Sequence, residues 1–251
     1  MFIAANHRIQ STTSSHQLHR KAIYAFTLLV AALLHPLNAR AIEFPETPEA
    51  QSTSVAQLAN ILRVGDIVFI RVTAKPFREV ANATGTWTNH VGIVTSIDGV
   101  EPMIGESTFP FSRTTPLTKF VARSEYGHVA ITRLKANLSA QQVQRIQLGV
   151  KERSGIFYDT GFNLHSHKEF CSRFVYEVVR EATGISVGEV ETFNAMLASR
   201  PDINLRFWKV WYFGRIPWDR ETITPASMLN SPNLNLIFNA NIDTTTKPGK
   251  A

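Results

Sequence analysis

One cysteine, Cys171, stands in a chain of 251 residues, so no intrachain disulfide staples the fold. The domain must be held by an apolar core instead. The lone thiol is then either a small buried hydrophobe or a group kept for its chemistry. Its setting favours chemistry. The run Phe170-Cys171-Ser172-Arg173-Phe174-Val175-Tyr176-Glu177-Val178-Val179 predicts an amphipathic helix with the thiol in its first turn. Unpaired N–H groups and the helix dipole stabilise a thiolate at that end.

The front of the chain reads as an export signal, residues 1–41. Arg8, Arg20 and Lys21 form a basic stretch without acidic residues, and Ala22 to Leu34 is a continuous apolar run. That run suits a signal core and is short for a membrane span. Ala39-Arg40-Ala41 supplies the small-x-small cleavage pattern; an uncleaved anchor is the alternative. Removing this segment takes four basic residues, and the net charge falls from +6 to +2. The basic balance is partly an export feature, and nothing in it calls for nucleic acid. An exported, periplasmic or extracellular protein is the expectation.

What remains suits one domain with a full core. Residues 42–56 read as a flexible leader, 57–240 as the domain and 241–251 as a disordered tail. A short helix is expected near Val55 to Leu62. Strands are expected at Asp66 to Val72, His90 to Ile97, Val100 to Glu106 and Tyr126 to Leu134. Asp98-Gly99 is a hairpin signal. A three-residue loop there would set residue 90 directly opposite residue 106, making His90 and Glu106 cross-strand neighbours. Ser139 with Gln142 forms a capping box ahead of Val143, Ile146 and Val150 at helical spacing. Gly184 is placed to stop the Cys171 helix.

A cysteine nucleophile needs a base and a setting that favours its thiolate. His90, with a carboxylate across the ladder, supplies the base, and Glu106 would fix the ring's tautomer and stabilise its charged form. The backbone N–H of Cys171, at a helix start, is a natural oxyanion donor. The three side chains form a complete set.

The motifs that carry these residues resemble a family. Leu62-Arg63-Val64-Gly65-Asp66-Ile67-Val68-Phe69, Asn89-His90-Val91-Gly92-Ile93-Val94 and Ile104-Gly105-Glu106 are similar to the front half of the YiiX/YebB-like hydrolases. These form the permuted branch of the NlpC-type papain-fold enzymes. Gly155-Ile156-Phe157-Tyr158-Asp159, Glu169-Phe170-Cys171-Ser172, Gly184 to Glu189 and Ile223-Thr224-Pro225 resemble the back half. The resemblance implies an α+β, circularly permuted papain-like fold, with an antiparallel sheet packed against the helix that carries the cysteine. It implies Cys171 as nucleophile, His90 as general base, Glu106 as orienting residue and Tyr158 as a hydroxyl near the oxyanion. The implied activity is a cysteine peptidase or amidase acting through a thioester. Two positions depart from the family pattern: Phe170 stands where a tyrosine often precedes the cysteine, and Ser107 follows the glutamate in place of alanine.

With export, amide hydrolysis points to a cell-envelope substrate such as a peptide or peptidoglycan stem. Lipid acyl transfer or thioester hydrolysis at the same site, and a non-catalytic envelope-binding module, are the alternatives. No cofactor is expected. His165 and His167 with Cys171 resemble a zinc pattern, but three ligands within seven residues across a helix start are awkward to close around an ion. Phe207, Trp208, Trp211, Tyr212, Phe213 and Trp218 make an aromatic-dense segment, read as packing on the core or as an acyl wall. Phe207, Trp208, Trp211 and Phe213 are the residues expected at any peripheral membrane contact.

Overall fold

The computed structural model describes residues 53–200 and 202–244. The expected signal segment, most of the leader and the last residues of the tail lie outside them. The elements in chain order begin with β1 (Thr53–Ser54), α1 (Val55–Ile61), β2 (Ile67–Ile70), α2 (Lys75–Thr84), β3 (His90–Ser96) and β4 (Met103–Glu106). β5 (Arg113–Pro116), α3 (Leu117–Val121), β6 (His128–Leu134) and α4 (Ala140–Glu152) follow. The back half holds α5 (Cys171–Thr183), β7 (Val190–Thr192), α6 (Phe193–Ala198), α7 (Arg206–Trp211), β8 (Glu221–Ile223), α8 (Pro225–Leu229) and β9 (Leu234–Asp243).

The main sheet has seven strands in the order β1-β9-β6-β2-β3-β4-β5. Its pairings are antiparallel except between β1 and β9. The architecture is α+β, with the cysteine helix α5 packed on β3. β2 explains why the sheet has two covered faces. All four of its residues are buried, and a continuous apolar run of this kind marks a strand with no solvent side. Ile67 and Phe69 join Val91, Ile93, Phe174, Val175 and Val178 on the α5 side. Val68 and Ile70 join Val94, Ile104, Leu58, Leu117 and Phe120 on the other.

Helix α5 buries Phe174, Val175, Val178 and Val179 against the sheet. Truncating one core phenylalanine such as Phe174 costs about 3–5 kcal/mol. Gly184 ends the helix in the left-handed conformation at φ 75°, its N–H bonded to the Arg180 carbonyl at 2.8 Å. Helix α4 starts in the expected reciprocal box, Ser139 Oγ with the Gln142 N–H and Gln142 Oε1 with the Ser139 N–H. It presses so closely on β4 that a Cβ on Gly105 would stand 2.7 Å from Val150. A glycine before Glu106 is thus required by the helix above it.

Several expectations are corrected. The β3–β4 register pairs Ile93 with Gly105 and Val94 with Ile104, and shifts again at Ser96–Met103. Continued outward, it sets Glu106 beside Gly92 rather than His90. The connection is longer than a three-residue turn, so the ladder slips by two. An even slip keeps both side chains on one face, and they meet diagonally. The domain also exceeds its expected bounds. β1 begins at Thr53 within the leader, and β9 runs to Asp243, past residue 240. Strands β5 and β9 and helices α2 and α3 had not been anticipated. Helix α2 carried a usable sign, Pro76 at its start and Gly85 (φ 63°) at its end.

Candidate active site

Cys171 is the first residue of α5, and no side chain caps that helix at Phe170. The first-turn N–H groups are therefore left for another acceptor. The thiol is buried, 4 % exposed, and is the free cysteine of the described residues. Ser172, next in sequence, is tied by its hydroxyl to the Ile223 carbonyl at 2.7 Å, which anchors the helix start against β8.

His90 opens β3 at the seam of the two cores, edge-on to Phe77 at 5.8 Å and beside Phe120 at 5.6 Å. Its Nε2 lies 2.7 Å from Glu106 Oε2. Nδ1 is buried without another partner and is the nitrogen left to serve the thiol. Burial pulls the His90 pKa down, but hydrogen bonding and charge from Cys171 and from Glu106 outweigh it and hold it above the ordinary value.

Glu106 is fully buried. Besides His90, its Oε2 accepts from Arg123 at 2.6 Å and its Oε1 from the Thr115 hydroxyl at 2.6 Å. Arg113 stands further off, at 3.8 Å. Burial alone would raise this carboxyl. The hydrogen bond and charge of His90, then Arg123 and Thr115, hold it at about 2. It is an anion at any ordinary pH, and it favours the protonated form of the His90 imidazole.

Tyr158 is buried beside Cys171, and its hydroxyl has no hydrogen-bond partner of ordinary geometry. Burial, then the charge of Cys171, pushes its pKa well above 10.0. Its hydroxyl lies among the groups that line the cleft at Cys171.

The structure thus brings Cys171, His90, Glu106 and Tyr158 together. The sequence reading had missed Arg123, Thr115 and Phe77. Arg123 follows α3, 17 residues beyond Glu106, and nothing in the local sequence marks it. Thr115 comes from β5, the strand that was not anticipated.

Other residues went elsewhere. His165 pairs with Glu221 on the surface at 2.6 Å, away from the thiol. Among the described residues no group of three or more His, Cys, Asp and Glu side chains is arranged to hold a metal ion. The aromatic segment divides. Trp208 is fully buried in the core and cannot reach a membrane, a correction that follows from its packing against Phe162 and Phe193. Phe207 and Trp211 are half-buried and stack on each other, while Phe213 is 94 % exposed.

Comparison with known proteins gives this fold a family. Residues 61–238 match the family described as permuted papain-like amidase enzymes, YaeF/YiiX, C92 family. A relative, the uncharacterized protein YiiX of Escherichia coli strain K12, is 27% identical over 175 residues, 70% of this chain and 85% of that one. A crystal structure titled metalloprotein yiiX, from Escherichia coli O157:H7, superposes with a TM-score of 0.62 at 24% identity, covering 71% of this chain and 98% of that one. At that identity the superposition speaks for the fold alone.

Proposed function

The chain belongs to the permuted papain-like amidase family, and from that premise we propose that it hydrolyses an amide bond through a thioester on Cys171. The observation that carries this reading is His90, buried between the thiol and an anionic Glu106. His90 takes the Cys171 proton and the thiolate attacks the carbonyl carbon. The Cys171 N–H and the Tyr158 hydroxyl face the oxyanion. As the C–N bond breaks, His90 returns its proton to the departing amine. Water then gives a proton to His90 and attacks the thioester, releasing a carboxylic acid and restoring the thiol.

The apolar run and cleavage pattern at the N-terminus support export, and export supports an envelope substrate, a peptide or peptidoglycan stem. One observation favours a second reading: the cleft at Cys171 is apolar, which suits a lipid acyl group in transfer or thioester hydrolysis. The solved neighbour is titled a metalloprotein, but the donor groups described here do not assemble a metal site.

The test has two arms. Alkylation of Cys171 by iodoacetamide at neutral pH is expected to be fast in the wild type and slower in His90→Ala. A panel of peptide, N-acyl and lipid substrates should then show turnover that Cys171→Ala abolishes. Alkylation indifferent to His90 would mean a structural thiol.

A further inference from the structure

One buried carboxylate takes no part in the steps above. Glu169 stands two residues before Cys171 and is 4% exposed. Its backbone joins the parts of the site. The Glu169 N–H donates to the Phe157 carbonyl at 2.9 Å, and the Glu169 carbonyl accepts from the Asp159 N–H at 2.7 Å. These bonds bracket Tyr158 on its bridge to Glu169. The same carbonyl accepts from the Ser107 hydroxyl at 3.0 Å, next to Glu106. A shift of residue 169 therefore reaches Cys171, Tyr158 and Glu106 together.

The side chain sits between two helices. Arg153, which caps the end of α4, brings Nε to 3.6 Å from Glu169 Oε1, and Arg173 of α5 brings Nε to 3.9 Å from Oε2. Both distances are outside hydrogen-bond reach. Glu169 Oε2 and Arg153 Nε are buried without a hydrogen-bond partner. The guanidinium groups are fastened elsewhere. Arg153 donates to Glu181 at 2.6 Å and lies 3.5 Å from Glu177, while Arg173 donates to Glu177 at 2.9 Å and to the Lys168 carbonyl at 2.7 Å. On the neighbouring strand Asp159 is occupied by the Gly161 and Asn163 N–H groups, and the Lys168 side chain is exposed. Ionised, Glu169 is drawn toward both cations in a buried setting, which ties the start of α5 to the end of α4. Protonated, it loses that pull.

Resting on the amidase reading above, we propose that Glu169 is a positioning residue of the reaction: its carboxylate, held between Arg153 and Arg173, sets the start of α5 so that Cys171 is brought to His90. Burial, with Glu177 and Glu181 adding to it and Arg173 and Arg153 opposing, raises the Glu169 pKa to about 7. The placement is therefore gained as pH rises through neutrality and lost below it.

The experiment follows iodoacetamide alkylation of Cys171 in the full chain between about pH 5 and 9, in wild type, Glu169→Gln, His90→Ala and the double variant. The wild-type rate should show a step upward centred at about pH 7. Glu169→Gln, which copies the protonated form, should lack that step and be about tenfold slower at pH 8, a size typical of coupling within one network. With His90 already replaced, the same substitution should change the rate by less than about twofold, because the pair it serves is gone. Acting by charge alone, Glu169 would give the reverse: an anion beside the thiol disfavours the thiolate, so its removal would speed alkylation. Faster or unchanged alkylation in Glu169→Gln, or equal slowing with and without His90, would overturn the assignment and leave the amidase standing. Wild-type alkylation indifferent to His90 would remove both readings together.

Discussion

Among the described residues, two histidine–glutamate pairs have nearly the same length. His90 and Glu106 meet at 2.7 Å, His165 and Glu221 at 2.6 Å. Distance does not separate them; burial does. The first pair is 1% and 0% exposed, the second 69% and 48%. In water an ion pair is screened and contributes about 0–1 kcal/mol. In the interior the same contact is strong and its removal leaves a charge without a partner. The buried pair therefore has to be completed, and Glu106 draws in Thr115 and Arg123 as well as His90. The surface pair gathers no such support. The candidate catalytic histidine is marked by its surroundings, not by its contact distance.

The comparison breaks most visibly in catalysis. Glu106→Gln is expected to lower kcat/KM on the best amide of a substrate panel by about 10²- to 10⁴-fold, the range of an acid–base assembly. Glu221→Gln should leave it within about twofold. Equal effects would end the distinction drawn between the two pairs.

A third carboxylate sharpens it by having burial without a close partner. Glu169 is 4% exposed, and its arginines stand off at 3.6 and 3.9 Å. Burial, aided by Glu177 and opposed by Arg173 and Arg153, raises its pKa to about 7. A carboxyl raised on folding costs nothing below its unfolded value near 4.5; the cost grows up to about pH 7 and then stays level. Glu169→Gln should therefore stabilise the protein at pH 8, by up to about 3 kcal/mol, and have little effect at pH 4. Urea unfolding at the two pH values measures this, and a loss of stability at pH 8 would contradict it.

Glu106 should show the opposite dependence. Its depressed pKa contributes stability above about 4.5 that is lost as pH falls toward about 2. His90, raised, contributes below 6.5 and loses that contribution as pH rises through its folded value. Arg123→Gln, which takes a cation from Glu106, is expected to cost about 2 kcal/mol at pH 6. That cost should shrink toward pH 2 as Glu106 is protonated; a cost unchanged by pH would show that Arg123 acts through packing alone.

The smallest effect belongs to the surface. His165→Ala should change the unfolding free energy by no more than about 0.5 kcal/mol. A larger loss, measured by thermal melting at pH 6, would mean that the exposed pair is as structural as the buried one.

Much of this site was legible from local patterns. The helix behind Cys171, its glycine stop, the Ser139–Gln142 box and the strands bearing His90 and Glu106 follow from periodicity and capping chemistry, which act over a few residues. The β3–β4 register did not follow, because the connection is longer than Asp98-Gly99 suggested and a ladder shift depends on residues across the strand. The pairing survived that error because the slip was even. Trp208 stood open between core and membrane for a related reason: an aromatic cluster looks the same in sequence whether it faces lipid or a core.

By itself the sequence determined a domain without disulfides, a thiol at a helix start, and a histidine and a glutamate on neighbouring strands. These are consequences of residue type and short-range order. Tertiary structure alone decided that Arg123 and Thr115 complete Glu106, and that one His–Glu pair is dry while its twin is wet. Desolvation is a property of everything packed around a group, and no stretch of chain specifies it alone.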